Sequence, residues 1–464
     1  MTATQHAAPA AGEARDAAGT GQHPVGQGAD RALPDEVPPG EMQGNLALAL
    51  GAADAWRERR ERARTPEFRA EFLDHAVRTV PLYRDAVAST SGPLSLDRFP
   101  VVARTDLRSN GDPLRSDEWN GLRPELRAYT NGTVAPQLRV SFDPPSWYDF
   151  NYGTYDAVAQ RVPHLPDTVV PGRPGVYLVT DMPYAERASV LLPTLRLALF
   201  RRLPIARGPA EDAAVAEYLR AADPPLLYGK PSTLIELMER DTALGGGGIR
   251  ARTILVSGES LYEEDRAKIE AWSGGRIYNA YISTEGGLIA LECEHRTGLH
   301  VREDRVRLEV LRADGSIAPE GTGDVLLTNF FNWAHVFVRY RLGDRVTLQP
   351  TECACGFRGM NVARLWGRDL ESYETPGGRI DTPSLAEAFA PADVKQYQVV
   401  QTPGGRLSIR WIPLATDVRE IAGATERIRG ALAARLDGVA FDLVPVRRIM
   451  RPGGKLRRFL RETA

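Results

Sequence analysis

Two runs near the middle of the chain concentrate residue types suited to phosphate: Ser257-Gly258-Glu259-Ser260, and Tyr281-Ile282-Ser283-Thr284-Glu285-Gly286-Gly287. Hydroxyls can donate to phosphate oxygens while a neighbouring carboxylate holds Mg²⁺. The glycine pair lets backbone and ligand approach closely. Each run follows an apolar, β-prone stretch, Thr253-Ile254-Leu255-Val256 or Arg276-Ile277-Tyr278-Asn279-Ala280, and so reads as a strand ending in a loop. In open α/β sheets ligands bind at the carboxyl ends of strands. Downstream come Tyr340-Arg341-Leu342-Gly343-Asp344, then Gly367-Arg368-Asp369, and finally Pro452-Gly453-Gly454-Lys455-Leu456-Arg457-Arg458.

All three cysteines fall in two tight groups, Cys293-Glu294-His295-Arg296-Thr297-Gly298-Leu299-His300 and Cys353-Ala354-Cys355-Gly356. Three thiolates and one imidazole would close a tetrahedral site with no open position, which makes the metal structural. Thiolates favour zinc over harder ions. His295 and His300 both compete for the fourth position, and three inert buried thiols are the alternative reading.

These residues need elements to hold them. Strands and helices alternate from about 170 to 285: a strand at Gly175 to Thr180, a helix at Ala185 to Arg201, a strand at Leu226 to Tyr228, a helix at Pro231 to Arg240 and a strand at Thr253. Such alternation argues for a parallel sheet covered by helices. After about residue 300 alternating strands take over, for example Arg305 to Val310. The last stretch has a Gly-Gly turn at 377–378, a strand at Leu407 to Trp411, a helix at Val418 to Leu436 and a strand at Phe441 to Val444, enough for a small α+β unit. Apolar spacing around Phe68 to Val77 predicts a helix. The fold class is therefore α/β: a large N-terminal domain with helix-covered, mostly parallel sheets, plus a small α+β C-terminal lid.

Composition sets the outer bounds. With 464 residues, two or three domains are expected, and an apolar fraction of 43% can bury large cores. Basic and acidic residues nearly cancel, 58 against 60, so no strong field draws the chain to nucleic acid or a membrane. The exception is a C-terminal basic cluster (Arg447, Arg448, Arg451, Lys455, Arg457, Arg458), for which a solvated tail is the bland reading of every member but Lys455. No apolar run approaches the roughly 20 residues that span a bilayer. The N-terminus lacks the features of a signal peptide, and so few cysteines suit a reducing cytosol, hence a cytoplasmic protein. Residues 1–40, rich in Ala, Gly, Pro, Gln and Asp, read as a disordered tail.

The order of these motifs resembles the AMP-forming adenylating ligases, in particular the phenylacetate–CoA ligase-like branch. The resemblance covers nearly everything after residue 60, including His75 to Arg84, Phe99 to Arg108 and Tyr228-Gly229-Lys230-Pro231-Ser232. It implies a large adenylate-forming domain over 41–367 and a mobile lid over 368–464. Its phosphate loop falls on Thr130-Asn131-Gly132-Thr133-Val134-Ala135-Pro136, with Val134 and Ala135 where the family usually has a second hydroxyl and a second glycine. Thr130, Gly132, Thr133 and Ser283 would then serve nucleotide binding. Gly258 and Glu259 would line the adenine pocket, and Tyr281 would stack near the base. Thr284 would contact the α-phosphate and Glu285 would hold Mg²⁺. Asp344 would bind the ribose, Arg368 ribose or phosphate, and Asp369 would be the hinge. Lys455 would enter the site from the lid. For the zinc set, the family position favours His300 beside Cys293, Cys353 and Cys355. The implied reaction activates a small-molecule carboxylic acid, aromatic or heteroaromatic, with ATP as acyl-AMP, then passes the acyl group to coenzyme A. An amine or carrier-protein acceptor, or a catalytically poor nucleotide-binding scaffold, are the alternatives. The segment Thr180-Asp181-Met182-Pro183-Tyr184 departs from the family's acyl-pocket pattern, so the acid is not assigned.

Overall fold

The computed structural model describes residues 39–88, 92–107, 113–119, 126–129, 138–170, 173–180, 187–192, 196–205, 209–368, 373–375, 378–380, 382–389, 394–447, 449 and 458–462. The phosphate-loop candidates Thr130, Gly132 and Thr133, the hinge Asp369, the turn residue Gly377 and Lys455 lie outside them.

Arg276–Ser283, Thr253–Ser257, Leu226–Gly229, Pro174–Thr180 and Arg196–Pro204 lie side by side as parallel strands. Parallel neighbours require crossovers, and the helices Pro209–Ala222, Pro231–Ala243 and Glu263–Ser273 supply them. Thr253–Ser257 is buried at every position, as a parallel strand covered on both faces must be. The sheet then continues antiparallel through Gly287–Glu292, Leu299–Val301, the hairpin Tyr340–Glu352 and Arg358–Arg368, and Gly321–Asn329, reaching thirteen strands among the described residues. The large unit is thus mixed, with a parallel block beside an antiparallel one.

Residues 185–201 correct one expectation. They form the antiparallel strands Arg187–Leu192 and Arg196–Pro204, with Leu191 opposite Leu197, in place of a helix. Leu, Ala and Arg favour helix, but Pro193 inside one would remove a hydrogen bond and clash with the preceding turn. Pairing of Arg196–Pro204 with Pro174–Thr180 then decides the outcome. At the other end of the chain, Pro39 and Gly40 open the helix Pro39–Arg62.

A separate four-stranded sheet follows in the order Phe441–Pro445, Leu407–Pro413, Val394–Gln401, Phe459–Arg461. The helix Val418–Leu436 has the span read from the sequence, with Ala424, Ile428, Leu432 and Leu436 forming its buried stripe. Asp417 caps it, its Oδ1 accepting from the Arg419 and Glu420 amides at 2.8 and 3.1 Å. This sheet meets the helix Glu263–Ser273: Lys268 Nζ donates to the Val394 carbonyl at 2.9 Å. Arg458 donates to Asp265 at 2.8 Å and lies over the Tyr262 and Tyr397 rings, about 5 Å from each centroid. So Arg458 is a packed interface residue and no member of a solvated tail.

The same helix is tied to the antiparallel block by Arg266, which donates to both oxygens of Glu292 at 2.8 and 3.0 Å, with both side chains only 6% exposed. Removing one partner of a buried pair strands a charge, whereas replacing both with apolar groups is often neutral. Arg266→Ala should therefore lose about 3–5 kcal/mol of unfolding free energy, and Arg266→Met/Glu292→Met should regain most of it. Denaturant melts in which both variants lose equally would contradict this.

Candidate functional site at the carboxyl edge of the sheet

The parallel strands Leu226–Gly229, Thr253–Ser257 and Arg276–Ser283 end side by side, so their loops face one edge. Gly258 takes φ +80°, a left-handed turn that suits glycine directly after a strand. Glu259 Oε2 accepts from the Ser232 amide at 3.1 Å, in the first turn of the helix Pro231–Ala243. A carboxylate there satisfies an otherwise orphaned donor and complements the helix dipole. The structure thereby holds Glu259 beside Lys230 and Ser232, a link between two loops that no spacing in the sequence reveals. Ser257 Oγ and the Tyr228 hydroxyl are 2.5 Å apart and join the same two loops.

In the second run, Ser283 Oγ accepts from the Gly286 amide at 2.9 Å and closes the turn into Gly287–Glu292. Thr284 is half-buried and Glu285 is buried at 8% exposure. The Asn329 side chain fixes the turn from below by donating to the Glu285 carbonyl at 2.8 Å. Gly286 is needed sterically: a Cβ would come within 2.8 Å of Ile289 and 3.0 Å of Leu327. Tyr281 is buried, and its hydroxyl donates to Asp344 Oδ2 at 2.6 Å. That bond brings the second run and the distant Asp344 together. Asp344 in turn lies cross-strand from Arg368, where the two strands of the long hairpin begin and end. Gly258, Glu259, Tyr281, Ser283, Thr284, Glu285, Asp344 and the backbone of Arg368 therefore share one edge.

The cysteines gather at the opposite end of the same strands. Cys293 opens the turn between Gly287–Glu292 and Leu299–Val301, and Cys353 and Cys355 lie at the tip of the long hairpin. Leu299–Val301 pairs with both Gly287–Glu292 and Arg358–Arg368, which draws the two turns together. The donor atoms of Cys293, His300, Cys353 and Cys355 all lie within 4.8 Å of one another. Cys293 and Cys353 sulfurs are 3.6 Å apart, and Cys355 Sγ is 3.4 Å from His300 Nε2. A tetrahedral ion with Zn–S bonds of about 2.3 Å separates its sulfurs by about 3.8 Å, so the donor set fits zinc. His295 stays outside the cluster, 41% exposed beside Glu294. The His300 ring is fixed by stacking on Phe357 at 4.2 Å. Burial pushes the Cys293 thiol up to about 12, while the Cys355 backbone amide and the Thr297 hydroxyl bring Cys353 down to about 7. A divalent cation is what would ionise the buried Cys293 sulfur.

The aromatic run from Trp147 to Tyr155 is largely packing: Tyr148 is fully buried, and Asp149 is held by Trp56 and Arg305. No helix among the described residues is long and apolar enough to cross a membrane.

No family model matches the sequence, and no curated protein matches it. Solved structures do match. A 2-hydroxyisobutyryl-CoA ligase in the postadenylation state with 2-HIB-AMP overlays with a TM-score of 0.67 at 18% identity, covering 89% of this chain and 90% of that one. The same ligase in an open conformation with 2-HIB-AMP and CoA gives 0.54 at 18% identity, covering 86% and 90%. In its thioesterification state it gives 0.53 at 19% identity, covering 89% and 91%. Across nearly its whole length, then, the chain has the fold of that acyl-adenylate-forming ligase.

Two outcomes follow from the geometry. Tyr281→Phe removes one hydrogen bond to a carboxylate, worth about 1.5–3 kcal/mol. ATP affinity by calorimetry should fall about tenfold or more with little change in melting temperature, and unchanged affinity would place Asp344 outside the nucleotide site. Chelator-washed protein should retain close to one zinc equivalent. Cys355→Ser should lower thermal stability far more than nucleotide affinity, because the metal joins two turns remote from the other edge. Metal-free protein with a mutant that melts normally would remove zinc from the cluster.

Proposed function

We propose that the chain is an AMP-forming acid–thiol ligase of the phenylacetate–CoA ligase-like kind. The observation that carries this is the Tyr281–Asp344 bond at the carboxyl edge, since it unites two of the ordered motifs beside the Thr284-Glu285 turn. The fold shared with an acyl-adenylate-forming ligase supports it. On this reading the acid, aromatic or heteroaromatic, attacks the α-phosphorus of ATP and pyrophosphate leaves. Thr284 donates to the α-phosphate, Gly258 and Glu259 border the adenine, and Asp344 accepts from the ribose hydroxyls. Arg368 reaches ribose or phosphate. Glu285 holds Mg²⁺, which neutralises phosphate charge. Thr130, Gly132, Thr133 and Ser283 complete the phosphate contacts. The large domain spans 41–367 and the lid 368–464, turning at Asp369 so that coenzyme A takes the acyl group. Cys293, His300, Cys353 and Cys355 hold a structural zinc. The compartment is the cytoplasm.

The test is exchange of pyrophosphate into ATP across aryl, heteroaryl and short aliphatic acids. Acid-dependent exchange with AMP as product is expected; ADP would sink the mechanism, and no exchange with any acid would favour a binding scaffold. Mass analysis of the acylated product with coenzyme A, an amine or a carrier protein identifies the acceptor, and thioester is expected. A lid lysine meets phosphate only in the closed state and so stabilises the transition state above the ground state. Lys455→Ala should lose about a hundredfold or more in acyl-AMP formation, with ATP affinity nearly kept and thioester formation from supplied acyl-AMP much less affected. Arg457→Ala should keep most of its adenylation rate. Equal losses in both half-reactions would refute the role.

A further inference from the structure

Beside the cysteine cluster, at the end of the strands away from the Thr284-Glu285 turn, lies an open cleft of about 760 Å³. Its walls carry Arg60, Arg64, Arg69, Arg161, Arg302 and Arg358 against three carboxylates, Glu294, Glu303 and Asp304, a formal excess of three positive charges. The strand Gly287–Glu292, six residues long, separates this cleft from the nucleotide edge by about 20 Å at roughly 3.3 Å per residue.

The local balance is lopsided. Asp304 serves three guanidiniums at once: Arg302 holds both its oxygens at 2.8 and 2.9 Å, with Arg60 at 3.8 Å and Arg64 at 4.0 Å. Burial alone would raise the Asp304 pKa, yet Arg302, Arg305 and Arg60 hold it well below the usual carboxylate range. The Arg302 side chain is 12% exposed, and its Nη1 is buried with no hydrogen-bond partner. Arg69 spends Nη2 on the Glu303 carbonyl at 2.6 Å and leaves a buried Nε unmatched. Buried donors without acceptors are costly, and a surplus of concave guanidiniums matches a multiply charged oxyanion.

The geometry points to a second binding site in this cleft, for a small polyanion of the phosphate-ester or pyrophosphate class. The volume suits a small-molecule ligand. The one aromatic ring on its wall, Phe357, is already covered by Arg161 at 5.4 Å and by His300, so recognition is of charge and not of a base. Arg161 also donates to Cys355 Sγ at 3.5 Å. The cluster thereby fixes one wall, and a ligand here would sense the metal-bound turn. This site does not depend on the adenylation reading.

The probe is sodium pyrophosphate, added to the full chain at low ionic strength without acid or ATP and followed by calorimetry and hydrogen exchange. Protection should appear in segments 60–69, 157–163 and 299–304. Arg64→Gln/Arg161→Gln should weaken binding about tenfold or more, since each charge-assisted contact is worth about 1.5–3 kcal/mol. Arg64→Gln/Arg358→Gln, which touches no thiolate, should weaken it too, and acid-dependent exchange should be unchanged in both. Protection confined to 257–260 and 281–286, or affinity unaltered in both variants, would overturn the second site. Equal displacement by chloride would do the same, reducing the cleft to a non-specific basic patch.

Discussion

Because strand side chains alternate in direction, a slip of one residue in Gly287–Glu292 would turn each of its side chains to the wrong face. Its register with Arg276–Ser283 and with Leu299–Val301 therefore governs two places at once. At one end it sets the turn of Ser283, Thr284 and Glu285. At the other it delivers Cys293 to its partners. The long hairpin repeats the arrangement, with Asp344 opposite Arg368 at its base and Cys353 and Cys355 at its tip. Chemistry and staple lie at opposite ends of one set of hydrogen-bonded ladders.

Buried charge pairs reinforce that register more than they add stability. Arg266 and Glu292 meet between a crossover helix and the strand, and Glu292 Oε2 also accepts from the Asn279 amide at 3.1 Å. Arg339 forms a comparable pair with Glu309 through bonds of 2.9 and 3.0 Å. Such pairs roughly break even against apolar side chains of the same size, but a misregistered strand would leave each one unmatched.

Much of this was legible in the sequence, for identifiable reasons. The helix Val418–Leu436 shows because its apolar stripe, Asp cap and following Gly438 agree with one another. The metal cluster shows because cysteines are scarce and their grouping is local. The choice of His300 over His295 shows less clearly, since it depends on which residue the Leu299–Val301 strand points at the hairpin tip. Residues 185–201 misled because strong helix formers were placed by pairing with a distant strand. Three features were hidden altogether: the Tyr281–Asp344 bond, the capping of a helix by Glu259, and the arginine cleft. Each joins segments far apart in the chain, and no local pattern encodes such a meeting.

Arg458 carries a consequence for kinetics. Its guanidinium sits between two tyrosine rings and beside Asp265, with its side chain 14% exposed. Any rotation of the small sheet away from the helix Glu263–Ser273 must first return that cation to water and leave Asp265 and Glu264 facing solvent. Rehydration of an ion carries a strongly negative entropy. Departure would then be helped by cooling and opposed by heating, the reverse of a hinge held shut by apolar contact alone.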